Sequence, residues 1–534
     1  MNDSKKATAT VERPRNAKGQ FISAAEHARL SDRSPGRILV PVRRVRVEGR
    51  YDAAATTHDN RRHWMHADGL SADAAASADV RRTLRNRARY EVANNSYARG
   101  IVLTLANDTI GVGPRLQLLT GDPGVNSEIE HEFELWATEV CLAEKLRTMR
   151  MARAQDGEAF AVLANNPALA HPVKLDLRPV EADQVTSPFG TVHRPQTVDR
   201  RNSNSNLQPT DYSLQTEVDG VLLDRHGNPS AYRVLKNHPG GPSAGFIEDF
   251  ALIPARNMLH IFRAERPGQH RGVPEITPAL PLFAQLRRFT LAVLSAAESA
   301  AEFAGILYTD APAEGEADAV EPMDLIQLER NMLLTMPGGW KMSQLEPAQP
   351  ATTYAEFKKE ILNEIARCLN MPYNVAAGNS SGYNYASGRL DHQTYFKSIR
   401  VDQAFFGAKV LDRILAAWLW EYALEVGLDG GILLDGMARR LPQHGWFWDG
   451  TEHVDPAKEA RAQETRLRNN TTTLAIEYAK QGLDWEAELR QRAKEAALMR
   501  ELGLTASESA PANRGEARLA AVESAIEELE DALA

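Results

Sequence analysis

Ser380 lies in "GNSSG", residues 378–382, which fits the letters G-x-S-x-G of a serine hydrolase's nucleophile elbow. That chemistry needs a strand running into the serine and a helix leaving it, so that the hydroxyl stands at the top of a parallel sheet. Here a helical stretch and the short apolar run "YNVAA" come first, and more Gly and Asn follow. The context fails, and a serine hydrolase is the lesser reading. His58, His63 and His66 in "HDNRRHWMH" are metal-binding types, but they sit in an approach without apolar period and lack a convincing fourth ligand, so a solvated set is favoured. The phosphate cradle G-x-x-x-x-G-K-[ST] occurs nowhere, so the chain is not its own ATP motor. Paired carboxylates do not stand out from ordinary surface charge. No catalytic residue, metal or cofactor is expected.

The residues around Ser380 suit contact rather than bond-making. Residues 373–388 contain no Asp, Glu, Lys or Arg, in a chain that is 25% charged. Gly378 and Gly382 give the backbone freedom, and Asn374, Asn379, Ser380, Ser381 and Asn384, with Tyr383 among them, offer neutral hydrogen-bonding groups. Such a loop can touch a polymer without fixed ion pairs. A plain surface connection accounts equally well for these letters.

Helices must carry that loop. "TYAEFKKEILNEIARCLN" places Phe357, Ile361, Ile365 and Cys368 on one face before Asn370 and Pro372 stop it, and residues 388–425 read as helix again. Earlier, apolar spacing predicts one long helix over 277–304, roughly 40 Å. Upstream, two helical pieces, 84–91 and 96–108, are split by Asn94 and Asn95; residues 125–148 read as a further single helix. Between these lie the β-prone runs "AFAVLANN", "VKLDLRPVEADQV" and "GVLLDRHGNPSAYRVLKN", the last a hairpin turning at Gly227, Asn228 and Pro229. Beyond 455 come short helices broken at Asn469, Asn470 and Gly482. The fold class is α+β.

At 534 residues the chain can bury more than one core, and 43% hydrophobic residues mark a folded protein. Its two cysteines, Cys141 and Cys368, form no metal-type pair and suit a reducing cytoplasm. "MNDSKKATATVERPRNAKGQF" lacks an apolar signal core and "LAVLSAAESAAEFAGIL" is interrupted by Glu298 and Glu302, so neither an export signal nor a membrane span is expected. Net charge is -9, yet residues 1–50 carry 12 Lys and Arg against 5 Asp and Glu, whereas residues 506–534 carry 2 against 7. The basic arm reads as a solvated tail, with DNA binding through it the lesser alternative. Leu519, Val522, Ile526, Leu529 and Leu533 make two heptads that need a partner helix.

Several stretches, in order, resemble the lambda-type portal protein family of tailed bacteriophages. They are "RNRARYEVANNSYARGIVLTLANDTIGVGPRLQ", "GEAFAVL", "DGVLLDRHGNPSAYRV", "HIFRAERPGQHRGVPEITPAL", "EIARCLNMPYNVAAGNSSGYNYASGR" and "VDPAKEARA". The fourth is the most specific. The resemblance implies a non-enzymatic ring of identical subunits, a dodecamer, at one capsid vertex, with double-stranded DNA in its channel. It implies docking of the terminase large subunit and then of head-completion or tail connector proteins, contacts with capsid and scaffold proteins, residence in the virion and assembly in the host cytoplasm; another head-tail connector is the nearest rival.

The same resemblance implies a layout: a flexible basic arm at 1–55, a mixed α/β wing at 56–270, long stem helices at 271–305 and 353–370, and a small clip at 306–352 between them. A tunnel loop at 371–388 follows, then a long helix with the wing and crown connection at 389–450, a helical crown at 451–505 and an acidic tail at 506–534. The DNA-channel loop would hold Asn374, Gly378, Asn379, Ser380, Ser381, Gly382, Tyr383 and Asn384. A channel lined with cations would hold DNA by phosphate neutralisation, and an uncharged loop avoids that.

Overall fold

The run "EAFAVLAN" forms strand β2, Glu158–Asn165, and its continuous apolar character has a structural cause. Ala159 and Ala161 face a core built with helices, while Phe160 and Val162 face a second sheet, so both sides of the strand are buried. The computed structural model describes residues 57–58, 60–187, 216–242, 249–301, 305–309, 340–344, 354–426, 441–450 and 456–504. The basic arm to residue 50, the heptad tail and most of 306–352 lie outside the described residues.

The chain divides into two units, Met1–Gly69 and Leu70–Ala534. In the first, Trp64 N–H donates to Asn60 O at 3.1 Å, and the His63 and Trp64 rings meet edge to face at 4.5 Å.

In the second, helices α1 (Ala78–Asn94) and α2 (Ser96–Ile110) are separated by Asn95, whose side chain accepts from Tyr97 and Ala98 N–H and so caps α2. The expected break falls here. Strand β1 (Arg115–Leu118) follows, and then α3 (Pro123–Glu139), capped by Asp122. The single helix expected over 125–148 is two: Cys141 takes a left-handed φ of 54° and α4 (Leu142–Asp156) sets off in a new direction. No Gly or Pro marks that break, so spacing could not reveal it.

β2 pairs antiparallel with β3 (Leu175–Val180) and with β8 (Met258–Phe262). A four-stranded antiparallel sheet runs in order β4 (Thr216–Val218), β5 (Val221–Leu223), β6 (Pro229–Leu235) and β7 (Phe250–Pro254). The long helix expected from 277 begins as a single tight turn, and α5 itself is Leu280–Ala301. Strands β9 (Gly305–Thr309) and β10 (Trp340–Gln344) pair antiparallel. Helix α6 (Tyr354–Arg367) leads to the short α7 (Tyr373–Ala377) and the long α8 (Tyr385–Phe406). One π-helical turn, Gly407–Leu411, joins α8 to α9 (Asp412–Val426). Strand β11 (His444–Phe447) pairs with β1, and α10 (Pro456–Arg468), α11 (Leu474–Ala479) and α12 (Trp485–Glu501) close the described chain. The architecture is α+β.

One core packs Trp136, Phe133, Phe406 and Trp418 with the inner face of β2. A helical core joins α1, α2, α5, α6 and α8 through residues such as Ile101, Leu105, Phe283, Ile365 and Tyr395. The π turn lies where the continuous helix leaves the second core, through Ile399, and enters the first, through Phe406 and Val410. A π turn carries one extra residue, which resets which side of the helix faces inward.

Candidate functional site

Asn370 ends α6 in the left-handed region, φ 53°, and Met371 N–H returns to Ala366 O at 3.1 Å. Pro372 then opens α7, and Gly378 closes it with φ 62°. A Cβ on Gly378 would meet nothing within 4 Å, so its need for glycine is conformational rather than steric. Asn379 N–H donates to Asn374 O at 3.0 Å, Ser381 N–H to Asn379 Oδ1 at 2.9 Å and Tyr383 N–H to Ser380 O at 3.1 Å. Asn384 Oδ1 accepts Ser387 N–H at 2.9 Å and caps α8. Residues 378–384 are therefore a self-bonded turn between two capped helix ends. Gly378, Asn379, Ser380, Ser381, Gly382 and Asn384 are exposed and Tyr383 is half-buried.

Two sequence expectations change. The loop expected over 371–388 contains α7 and the first residues of α8, because Ala376 and Met371 have the helical core to pack against. Asn374 is buried, not presented with the others. Its Nδ2 donates to Ser380 Oγ at 3.4 Å and lies 2.9 Å from His392 Nε2, tying the turn to α8. A helix rather than a strand precedes Ser380, and its hydroxyl meets an amide rather than an imidazole, so the elbow geometry is not formed. His58, His63 and His66 do not form a group able to hold an ion. Glu181, Asp183 and His238 do come close together, but Arg89 already bridges the two carboxylates at 3.2 and 2.8 Å, taking the cation's place.

Two buried charge networks, which spacing did not single out, fix the elements on which the turn stands. Arg150 donates to Glu275 Oε2 and Asp402 Oδ2, both at 3.0 Å, while Arg153 donates to Glu275 Oε1 at 2.8 Å and Asp402 Oδ1 at 2.9 Å. The closed square joins α4, the segment entering α5, and α8. Burial alone would push the Glu275 carboxyl up, but the charges of Arg150 and Arg153 outweigh it and hold it down at about 2.

The second network explains the motif "RGVP". Arg271 is fully buried, its Nε 2.9 Å from Glu158 Oε2 and its NH2 2.6 Å from Glu158 Oε1, with NH1 donating to Val185 O at 3.0 Å. His260 Nε2 is 3.2 Å from Glu158 Oε2, and Arg85 NH2 is 3.4 Å from Oε1. Burial works against the Glu158 charge, yet Arg271 and the His260 bond hold its carboxyl well below the ordinary range. Burial pushes His260 down, keeping its ring neutral against Phe160, 4.2 Å away. Gly157 and Gly272 face each other at this point: a Cβ on Gly272 would lie 2.1 Å from Gly157 O, and one on Gly157 would lie 2.4 Å from Val273 C. Glycine is required at both positions, as in the quoted "GEAFAVL" and "HRGVP".

Residues 58–403 match the phage portal proteins of the lambda family. The chain belongs to that family. A probable portal protein of Halomonas phage phiHAP-1 is 24% identical over 449 residues, which are 79% of this chain and 81% of that one. Among solved structures, a chain from the neck of an empty gene transfer agent particle is 15% identical, with TM-score 0.41, covering 77% of this chain and 99% of that chain. A chain from the virion of a native gene transfer agent particle is 14% identical, with TM-score 0.40, covering 80% and 99%. In this portal protein the matched region takes in both charge networks and the turn, and ends just past Asp402.

Proposed function

We propose that copies of this portal protein close into a ring, a dodecamer in the particle, with the turn at 378–384 directed into a central channel that carries double-stranded DNA. The observation that carries this reading is that the turn exposes only uncharged groups, backbone, amide, hydroxyl and part of the Tyr383 side chain, while its ends are anchored in a packed helical core. Neutral groups exchange hydrogen bonds with a passing polyanion without the counterion-release attraction of lysine or arginine, so the duplex slides past without being fixed by ion pairs. Asn374 works from behind, holding Ser380 and His392 together.

On this reading the sheets and helices to 270 form the wing, α5 and α6 the stem, and β9 and β10 part of the clip. The α8 to α9 helix leads toward the crown, which α10 to α12 supply. The clip side would receive the terminase large subunit during filling and head-completion or tail connector proteins afterwards. Capsid and scaffold proteins would surround the wing, placing the protein at one vertex of the virion after assembly in the host cytoplasm.

Electron microscopy of the purified chain tests the ring: annular particles with a central hole are expected, and a strictly monomeric protein under assembly conditions would overturn the reading. Shortening residues 378–382 is expected to impair packaging or genome retention more than ring assembly. Normal packaging by that variant would remove the turn from the channel.

A further inference from the structure

Two helices that share one core turn oppositely charged faces away from it. Helix α6 inserts Leu362, Ile365 and Ala366 into the helical core, and α8 inserts Tyr395 and Ile399. Helical spacing then places Glu356, Glu360 and Glu364 in one row on the outward side of α6, and all three are exposed. Phe357, at the edge of this row, touches Phe289 with one side of its ring yet is 49% exposed. The outward side of α8 carries Arg389, Lys397 and Arg400, also exposed, beside Leu390 and Val401, which are 67% and 64% exposed. None of these six charged residues forms an ion pair with another described residue.

Glutamates four apart repel one another along a helix, as do Lys397 and Arg400, three apart on α8, and the exposed Arg367, three positions past Glu364, ends the acidic row. Both rows, and the exposed Leu and Val, are costs in a single chain that a neighbour with the complementary face would remove. The two rows overlap in length: Glu356 to Glu364 covers eight positions, about 12 Å along a helix axis, and Arg389 to Arg400 eleven, about 16 Å. Since the two faces differ, each copy would offer one to the neighbour on either side, the head-to-tail arrangement by which identical subunits close a ring.

We propose that the outward face of α8 docks on the outward face of α6 of a neighbouring copy of this chain. Arg389, Lys397 and Arg400 meet Glu356, Glu360 and Glu364 there, and Leu390 and Val401 are covered beside Phe357. The proposal rests on the ring reading and names the surface that would build it. A cationic row also suits DNA phosphate. The exposed leucine and valine on the same face, and an acidic row of opposite sign on the same chain, favour a protein partner.

Charge reversal tests it on the full chain. One variant carries Glu356→Lys, Glu360→Lys and Glu364→Lys; the other carries Arg389→Glu, Lys397→Glu and Arg400→Glu. Each alone is expected to lower the ring fraction in native mass spectrometry at least about tenfold, since like charges then oppose across the contact. Mixing the two variants one to one should restore rings, because each mutated face then finds an opposite charge on the next copy, and so should combining all six changes in one chain. Circular dichroism checks folding, and the milder pair Glu360→Lys and Lys397→Glu repeats the cycle if a triple variant unfolds.

Rings at the wild-type level in either variant, or folded variants that neither mixing nor combination rescues, would overturn the pairing while leaving the ring itself intact. Intact rings with weakened DNA retention in the α8 variant would reassign that row to nucleic acid. A wild-type chain that never forms rings would instead defeat the ring reading, and the pairing with it.

Discussion

Arg153 NH2 donates to Asp402 Oδ1 at 2.9 Å, although the two residues are 249 positions apart. The same guanidinium reaches Glu275 through Nε, so one arginine of α4 holds the segment entering α5 and the last turns of α8 at once. Five positions past Asp402 the helix enters its π turn, and just beyond it Asp412 accepts from Trp446 Nε1 at 2.8 Å. The helix that follows the exposed turn is thus pinned to the body on both sides of the π turn. That rigidity gives the short neutral turn a defined position on the body.

Replacing Glu275 by Gln should test the clamp. It leaves Arg150 and Arg153 buried with one carboxylate between them, and breaking a buried pair in this way costs about 3–5 kcal/mol. The wild type should also be acid-sensitive through this group. Its carboxyl falls from an ordinary 4.5 to about 2 on folding, so its stabilisation is present above 4.5 and is lost as pH drops toward 2. That amounts to about 3 kcal/mol. Urea unfolding of both proteins between pH 2.5 and 7 measures it; a wild-type curve parallel to the variant's would contradict the assignment.

Gly272→Ala should be far more damaging than an ordinary Gly to Ala change. The added methyl would sit 2.1 Å from Gly157 O, which is backbone and has Val273 and Pro274 pressed against it in turn. Overpacking a closed site costs about 1–3 kcal/mol or more, and here it would also spread Arg271 from Glu158. Gly100→Ala, inside α2 where a Cβ would meet nothing within 4 Å and the backbone is not left-handed, is the comparison. Thermal unfolding should separate the two variants, with Gly272→Ala much the lower; equal midpoints would refute the close approach.

The α+β class, the Asn95 cap and the hairpin at Gly227 were readable because each has a local cause in neighbouring residues. Cys141 was not, because a left-handed residue without glycine is imposed by the packing of α3 against α4 rather than by its own preference. The candidate site divides the same way. Gly378 and Asn384 stand out in the sequence as a flexible and a neutral residue, but their places as the stop of α7 and the cap of α8 follow only once α7 is packed. The burial of Asn374 depends on α7 reaching the helical core, and the partners of Arg150, Arg153 and Glu275 come from distant segments that no periodicity connects. Glu158 and Arg271 were inside quoted motifs, yet only the fold shows that the two motifs are one contact.

Asn384→Ala should loosen the turn without touching the core. Asn384 Oδ1 accepts the Ser387 N–H at the start of α8, and losing such a cap costs about 0.5–2 kcal/mol. Hydrogen exchange should speed up at Ser387 and Gly388 while Tyr395 and Ile399 stay protected. Faster exchange along the whole of α8 would mean that the cap supports the helix rather than the turn.

Glu130→Gln should stabilise the protein, and only above about pH 4.5. Glu130 accepts the Leu118 N–H at 2.5 Å beside a cavity of about 700 Å³ bounded by α3, β1 and the start of α12. Burial pushes its carboxyl up to about 7 in spite of that bond, and the Asp484 and Glu486 charges add to the rise. The sign is therefore opposite to that at Glu275: the unfolded chain ionises from 4.5 upward while the folded chain resists, so wild-type stability falls as pH climbs from 4.5 to about 7 and then levels. Fully buried, such a shift would be worth about 3 kcal/mol, but this carboxyl is partly exposed and solvent screening reduces it to about 1 kcal/mol. A glutamine keeps the acceptor for Leu118 and removes the charge. Denaturant curves should coincide at pH 4 and separate in favour of the variant by pH 7.5; a gap that is constant with pH would place the effect in packing instead of ionisation.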